Sequence, residues 1–170
     1  FYLNDGSGHF SLHNHDSGLV MKNGWGAAAA DVDNDGDLDI VSRTLFRNQS
    51  AAGSWLKVRV FGGIAGGPAD SWGEWRGTSN VHGLGAVVRI TTSAGTQMQQ
   101  VSGGSGTGVQ DSLTLHFGLG NTSPTKAEVL FLGGGQVVIE NPTANQLLWV
   151  HEDGSSTEGW EFPSGFVPQR

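Results

Sequence analysis

Ser54-Trp-Leu-Lys-Val-Arg-Val-Phe61 puts Leu56, Val58 and Val60 on one side of the chain and Lys57 and Arg59 on the other. That is the period of two that a β-strand imposes on its side chains. The alternation returns downstream, where Leu113, Leu115 and Phe117 oppose Thr114 and His116. Working outward, the pattern predicts strands over Trp55–Phe61, Ala86–Thr92, Thr96–Val101, Ser112–Phe117, Lys126–Leu132, Gln136–Glu140 and Gln146–His151, with Gly- and Asn-containing turns between them. No stretch carries a useful helical period. The expected fold is all-β, with residues 54–153 forming a seven-stranded β-sandwich or partly open barrel.

Composition excludes several function classes. Glycine is 28 of 170 residues without a Gly-X-Y period, which argues against collagen. The formal charge of −7, with no basic stripe, makes nucleic acid a poor partner. Cysteine is absent, so there is no disulfide scaffold, thiolate metal site or thiol nucleophile. No apolar run approaches the ~18 residues of a membrane span, and no secretory leader opens the chain. The first residue is Phe rather than Met, which fits a processed or excised piece. Gly103-Gly-Ser-Gly-Thr107 lacks the last glycine of a nucleophile elbow, and no pair of carboxylates stands out as acid and base. The expectation is a protein without enzymatic activity.

Upstream of the sandwich, residues 1–50 read as a unit of their own. Asn4-Asp-Gly-Ser-Gly8 is a turn between two short strands. Asp31-Val-Asp-Asn-Asp-Gly-Asp-Leu-Asp39 then gathers much of the negative charge. Counting Asp31 as position 1, Asp33, Asp35 and Asp39 fall at positions 3, 5 and 9. Gly36 falls at the sharp turn, and Asp37 offers its backbone carbonyl. Hard oxygens at alternate positions of a curling loop suit Ca²⁺, which takes six to eight oxygen ligands in flexible geometry. An EF-hand would need a Glu at position 12 and flanking helices. Ser42 stands there, and Leu38-Asp-Ile-Val41 reads as a strand. The expected ligands are therefore Asp31, Asp33, Asp35, Asp37 and Asp39, and the role of the ion is structural.

The stretch Gly24–Asn48, with Ala27-Ala-Ala-Ala-Asp-Val-Asp-Asn-Asp-Gly-Asp-Leu-Asp-Ile-Val41 inside it, resembles the FG-GAP/VCBS repeat of calcium-binding β-propellers such as integrin α-chains. Phe1-Tyr-Leu-Asn-Asp-Gly-Ser-Gly-His-Phe10 resembles the close of a preceding repeat. Residues 54–151 are similar to the ASPIC/UnbV domain of cartilage-acidic-protein-like chains, through Ser54–Val60, Gly83-Leu-Gly-Ala-Val-Val-Arg89, Val101-Ser-Gly-Gly-Ser-Gly106, Leu113-Thr-Leu-His-Phe-Gly-Leu-Gly120 and Asn145-Gln-Leu-Leu148. Two motifs depart from that family: Phe131-Leu-Gly-Gly134 stands where Trp-Pro-Ser-Gly is usual, and Ser79-Asn-Val-His-Gly83 where Ser-Asn-Arg-Asp-Gly is usual.

The resemblance implies an extracellular or cell-surface glycoprotein with a structural or cell-adhesion role. A single repeat cannot bury both its faces, so other protein chains are expected as partners. They include copies of this chain joined by strand complementation into a filament, with the tail 154–170 as a candidate interaction strand. An alternative role is carbohydrate binding by Trp72, Trp75 and Arg76 in the Gly-rich loop 62–83. Asn48 and Asn121 head sequons and are candidate glycosylation sites.

Overall fold

The alternating stretch at 54–61 becomes the central strand of the core. In the computed structural model, which describes residues 2–13, 17–20, 24, 26–50, 53–63, 79–106 and 108–160, no helix occurs among the described residues. The strands of the first 50 residues are β1 (Tyr2–Asn4), β2 (Phe10–Leu12), β3 (Ala28–Ala30), β4 (Asp39–Val41) and β5 (Leu45–Phe46). The rest are β6 (Ser54–Phe61), β7 (Val87–Thr92), β8 (Gly95–Gln100), β9 (Leu115–Gly120), β10 (Pro124–Leu130), β11 (Gln136–Glu140), β12 (Leu147–His151) and β13 (Ser156–Glu158).

Two four-stranded sheets, ordered β11-β10-β7-β8 and β13-β12-β6-β9, form a sandwich, and neither closes into a barrel. Leu56, Val58 and Val60 point inward with no exposed surface and share one cluster with Val88, Ile90 and Phe117. Full burial of each such side chain contributes roughly 1.5–3 kcal/mol, and this cluster is the main apolar stabiliser. β6 pairs antiparallel with β9, matching Leu56 to Phe117, and parallel with β12, matching Val58 to Leu148. Both its ladders are filled, as a central strand requires.

The strand expected over Ser112–Phe117 begins at Leu115 and runs on to Gly120. The segment expected as a tail contributes an eighth sandwich strand, β13, hydrogen-bonded to β12 of the same chain. The first 50 residues form two small sheets, the hairpin β1-β2 and the three-stranded β3-β4-β5.

The outward side of β6 carries Trp55, Lys57 and Phe61. In an open two-layer sandwich this side ordinarily faces water. Here Trp55 is 6% exposed and Phe61 4%. Phe61 stacks on Trp149 and His151, whereas Trp55 and Lys57 lie beneath the acidic loop.

Candidate metal centre

The acidic loop closes because its two flanking strands pair. Ala30 of β3 is matched to Asp39 of β4, so Asp31 is returned to the neighbourhood of Asp39 and the residues between must curl. Asn34 (φ 62°) and Gly36 (φ 97°) take the left-handed conformations that the curl requires. The curl aims backbone N–H groups inward at carboxylates: Val32 N–H donates to Asp39 Oδ2 at 3.0 Å, Asn48 N–H to Asp39 Oδ1 at 2.8 Å, and Gly36 N–H to Asp31 Oδ2 at 2.9 Å. Asp33 pairs with Arg47. Ligand-capable oxygens of Asp31, Asp33 and Asp39 thereby lie within 4.8 Å of one another.

Asp35 and Asp37 stand outside this group. Asp37 N–H donates to Asp35 Oδ1 at 3.0 Å, and Ser50 Oγ donates to Asp37 Oδ2 at 2.9 Å. These bonds shape the rim of the loop.

The residues fit a hard cation. Asp31 Oδ1 is buried with no hydrogen-bond partner among the described residues, although an unpaired buried carboxylate oxygen is costly. Three carboxylates within 4.8 Å of one another repel each other, and Lys57 on Asp31 and Arg47 on Asp33 offset that repulsion from the outside without filling the space between the three. An oxygen-only donor set suits Ca²⁺ or Mg²⁺ rather than a soft metal.

The loop rests on the sandwich through three side chains. Lys57 Nζ donates to Asp31 Oδ2 at 2.9 Å and to Asn34 Oδ1 at 2.8 Å. Gly36 lies against the Trp55 indole, so close that a Cβ there would strike the ring. His116 is matched to Lys57 across β6 and β9 and stacks on Trp55. A fourth tie joins Ala29 N–H to Asp111 Oδ1 at 2.9 Å. Beside Lys57 opens a cleft of about 410 Å³ lined by Asp31, Asn34, Asp111, His116 and Trp160.

Burial pushes the Asp31 carboxyl pKa up. The Lys57 hydrogen bond, the Gly36 N–H and the Lys57 charge outweigh this, and the group settles below the ordinary carboxylate value. Burial pushes the His116 imidazole down, against the opposing pull of the Asp31 charge.

Sequence reasoning brought the aspartates forward but passed over Lys57, Asn34, Arg47, Trp55 and His116. The one available signal was a tryptophan beside a lysine on the outer side of a strand.

Other expected site residues lie elsewhere. Trp72, Trp75 and Arg76 fall outside the described residues. Asn48 and Asn121 are both exposed. Asn48 Oδ1 accepts Ser50 N–H at 3.2 Å, so this sequon sits on the flank of the acidic site.

Fold and site together define an all-β chain in which an acidic, cation-type loop is docked on a β-sandwich. Comparison with known families agrees at both ends: a model described as an FG-GAP-like repeat matches residues 1–42, and one described as ASPIC and UnbV matches residues 76–157. The chain thus carries an FG-GAP-like repeat followed by an ASPIC/UnbV domain. No curated protein matches it. Both matched spans stop short of the physical units. Arg47 and Asn48, which hold Asp33 and Asp39, follow the first span, and β6 precedes the second although it is central to one sheet.

Proposed function

We propose that the chain is a non-enzymatic extracellular structural or adhesion module in which Ca²⁺ fixes the acidic loop. Asp31, Asp33 and Asp39 are the inner ligands, while Asp35 and the Asp37 carbonyl are the further oxygens that the loop brings to its rim. The supporting observation is the buried, unpartnered Asp31 Oδ1 beside two further carboxylates. The matched FG-GAP-like repeat supports it from the side of family, since such repeats resemble calcium-binding propeller blades. Among the described residues no helix is long and apolar enough to cross a membrane.

The residues of this chain supply the charge, the curled backbone and the docking surface. The ion, when bound, neutralises the carboxylates and holds the loop closed. Affinity is expected on the order of 10⁻⁴ to 10⁻³ M, the range of extracellular calcium modules. The test is thermal unfolding with calcium and with chelator. Calcium raises the midpoint of the wild type by mass action, and Asp33→Ala removes most of the rise. A midpoint indifferent to chelator eliminates the reading.

A second reading, association with further chains, is favoured by the apolar side chains exposed on β1 and β2. Tyr2 is 65% exposed, Phe10 58% and Leu12 57%.

A further inference from the structure

Lys57 is a buried cation on a strand whose neighbours are the apolar core, and its ammonium makes both of its hydrogen bonds to another unit of the chain. Its side chain is 8% exposed and that of Asp31 0%. Its ammonium lies 5.6 Å from the centre of the Trp55 ring and 5.1 Å from that of Trp160. Aromatic faces on this scale hold a cation in place where water is scarce. Burying an ammonium in a sandwich wall is unfavourable unless it is paired and hydrogen-bonded. Its two partners here, Asp31 and Asn34, both belong to the acidic loop.

The position on Asp31 is specific. Lys57 takes Oδ2 together with Gly36 N–H, and Oδ1 is left buried and free. One carboxylate thus faces two cationic positions: a fixed one occupied by the sandwich lysine, and an open one shared with Asp33 and Asp39. Two positive charges that share a carboxylate oppose each other, because each weakens the attraction felt by the other.

We propose that Lys57 is a positioning residue that stands in for part of the cation's charge: it holds Asp31 and the loop on the sandwich when the ion is absent, and so sets how far the fold depends on calcium. The inference rests on the calcium reading and adds to it a residue from the other domain. With Lys57 present, the ion-free loop has Asp31 neutralised from the sandwich, as Arg47 neutralises Asp33 from within the first unit, and docking survives loss of the ion. Without Lys57, Asp31 is buried with no counter-charge until calcium arrives, and the fold becomes strongly calcium-dependent.

The experiment is thermal unfolding of the full chain, as wild type, Lys57→Met and Lys57→Arg, each in saturating calcium and in EDTA. Methionine keeps the apolar stem of lysine to within one atom of its length and removes the terminal ammonium with its charge and donors. Lys57→Met should lower the midpoint roughly twice as far in EDTA as in calcium, or unfold in EDTA while folding in calcium, because calcium replaces the missing charge on Asp31. Lys57→Arg keeps the charge, so its losses in the two conditions should be equal. A lysine that merely packs would lower both midpoints alike. Equal losses for Lys57→Met in the two conditions, or failure to fold in calcium as well as in EDTA, overturn the proposal while leaving the wild-type calcium response intact. A wild type that ignores calcium removes the calcium reading, and this inference with it.

Discussion

Glu152 gathers four donations onto one carboxylate. Gly63 N–H reaches Oε2 at 3.0 Å, Ser79 N–H reaches both oxygens at 2.9 and 3.0 Å, and Ser79 Oγ reaches Oε1 at 3.0 Å. Gly63 and Ser79 both belong to the Gly-rich loop 62–83, so a single carboxylate ties two distant parts of it together. Ser79 Oγ in turn accepts Gly133 N–H at 3.0 Å. Glu152→Ala strands the N–H and Oγ of buried Ser79, while the exposed Gly63 N–H turns to water, and is expected to destabilise the fold by about 2 kcal/mol, in the range for hydrogen bonds to a charged group, as read by urea unfolding. A change below a few tenths of a kcal/mol would show that the clasp is replaced by water.

His151 sets a pH effect. Burial pushes its imidazole below the ordinary 6.5, with the Asp153 charge pulling the other way. As pH falls, the unfolded chain therefore binds the proton first. The stability that the neutral ring contributes is present above about 6.5 and is lost as pH falls through the lower folded value. Melting midpoints measured from pH 8 to pH 5 should decline, and His151→Gln should flatten part of that decline. An unchanged slope in the variant counts against the argument.

At this scale the gathering of Asp31, Asp33 and Asp39 was legible because spacing alone encodes a curled loop, whereas Asp35 and Asp37, expected beside them, stand outside that group. Lys57 was not, because a charged residue alternating with Leu and Val is normally the solvated side of a strand. Only the tertiary placement of the loop over that side reverses its meaning.

Among the elements, the acidic loop and β6 are the pair whose contact matters most. Gly36 makes the contact in two ways: its φ of 97° is one that residues with a Cβ rarely adopt, and its α-carbon lies against the Trp55 indole. Gly36→Ala must either push the indole aside or lift the loop. The backbone strain alone is on the order of 1–3 kcal/mol. Near-ultraviolet circular dichroism should lose the Trp55 signature while the far-ultraviolet β spectrum remains. A variant with wild-type spectra in both regions and an unshifted midpoint would refute the docking geometry.

The strand alternation in the sequence was sufficient to locate most sandwich strands within a residue or two. It missed at two places for identifiable reasons. The start of β9 moves to Leu115 because Ser112 Oγ accepts Thr114 N–H at 3.1 Å, a local turn that competes with the ladder. β13 reads Ser-Thr-Glu and is exposed throughout, so it carries no apolar pattern. Backbone pairing with β12 holds it, together with Glu158, which accepts Thr143 N–H at 2.8 Å and Thr143 Oγ1 at 2.9 Å.

For the whole molecule, the contrast between the two ends of the chain bears on the proposed association with other chains. The sandwich buries its inner faces and much of one outer face, whereas the hairpin β1-β2 pairs, among the described residues, only with itself. Its register matches Tyr2 to Leu12 and Asn4 to Phe10, so period two places Tyr2, Phe10 and Leu12 on one face. All three are more than half exposed. A lone two-stranded hairpin is marginal in water, and an apolar face with two open edges invites a further strand or sheet. A second copy of the chain or a further repeat of the same kind satisfies that demand, because stacked repeats bury the faces that one repeat leaves open. The wild-type chain is therefore expected to associate with rising concentration in sedimentation velocity. Phe10→Glu with Leu12→Glu should abolish the association, since a like-charged pair on the face both removes the apolar contact and repels its partner. The substitutions should leave the calcium response unchanged, because among the described residues the hydrogen bonds and ion pairs of the acidic site come from neither residue. If the contact is head-to-tail and does not close on itself, the product is a filament rather than a ring, which electron microscopy distinguishes directly. A wild-type chain that sediments as a monomer at every accessible concentration would end the assembly reading while leaving the metal centre and its lysine untouched.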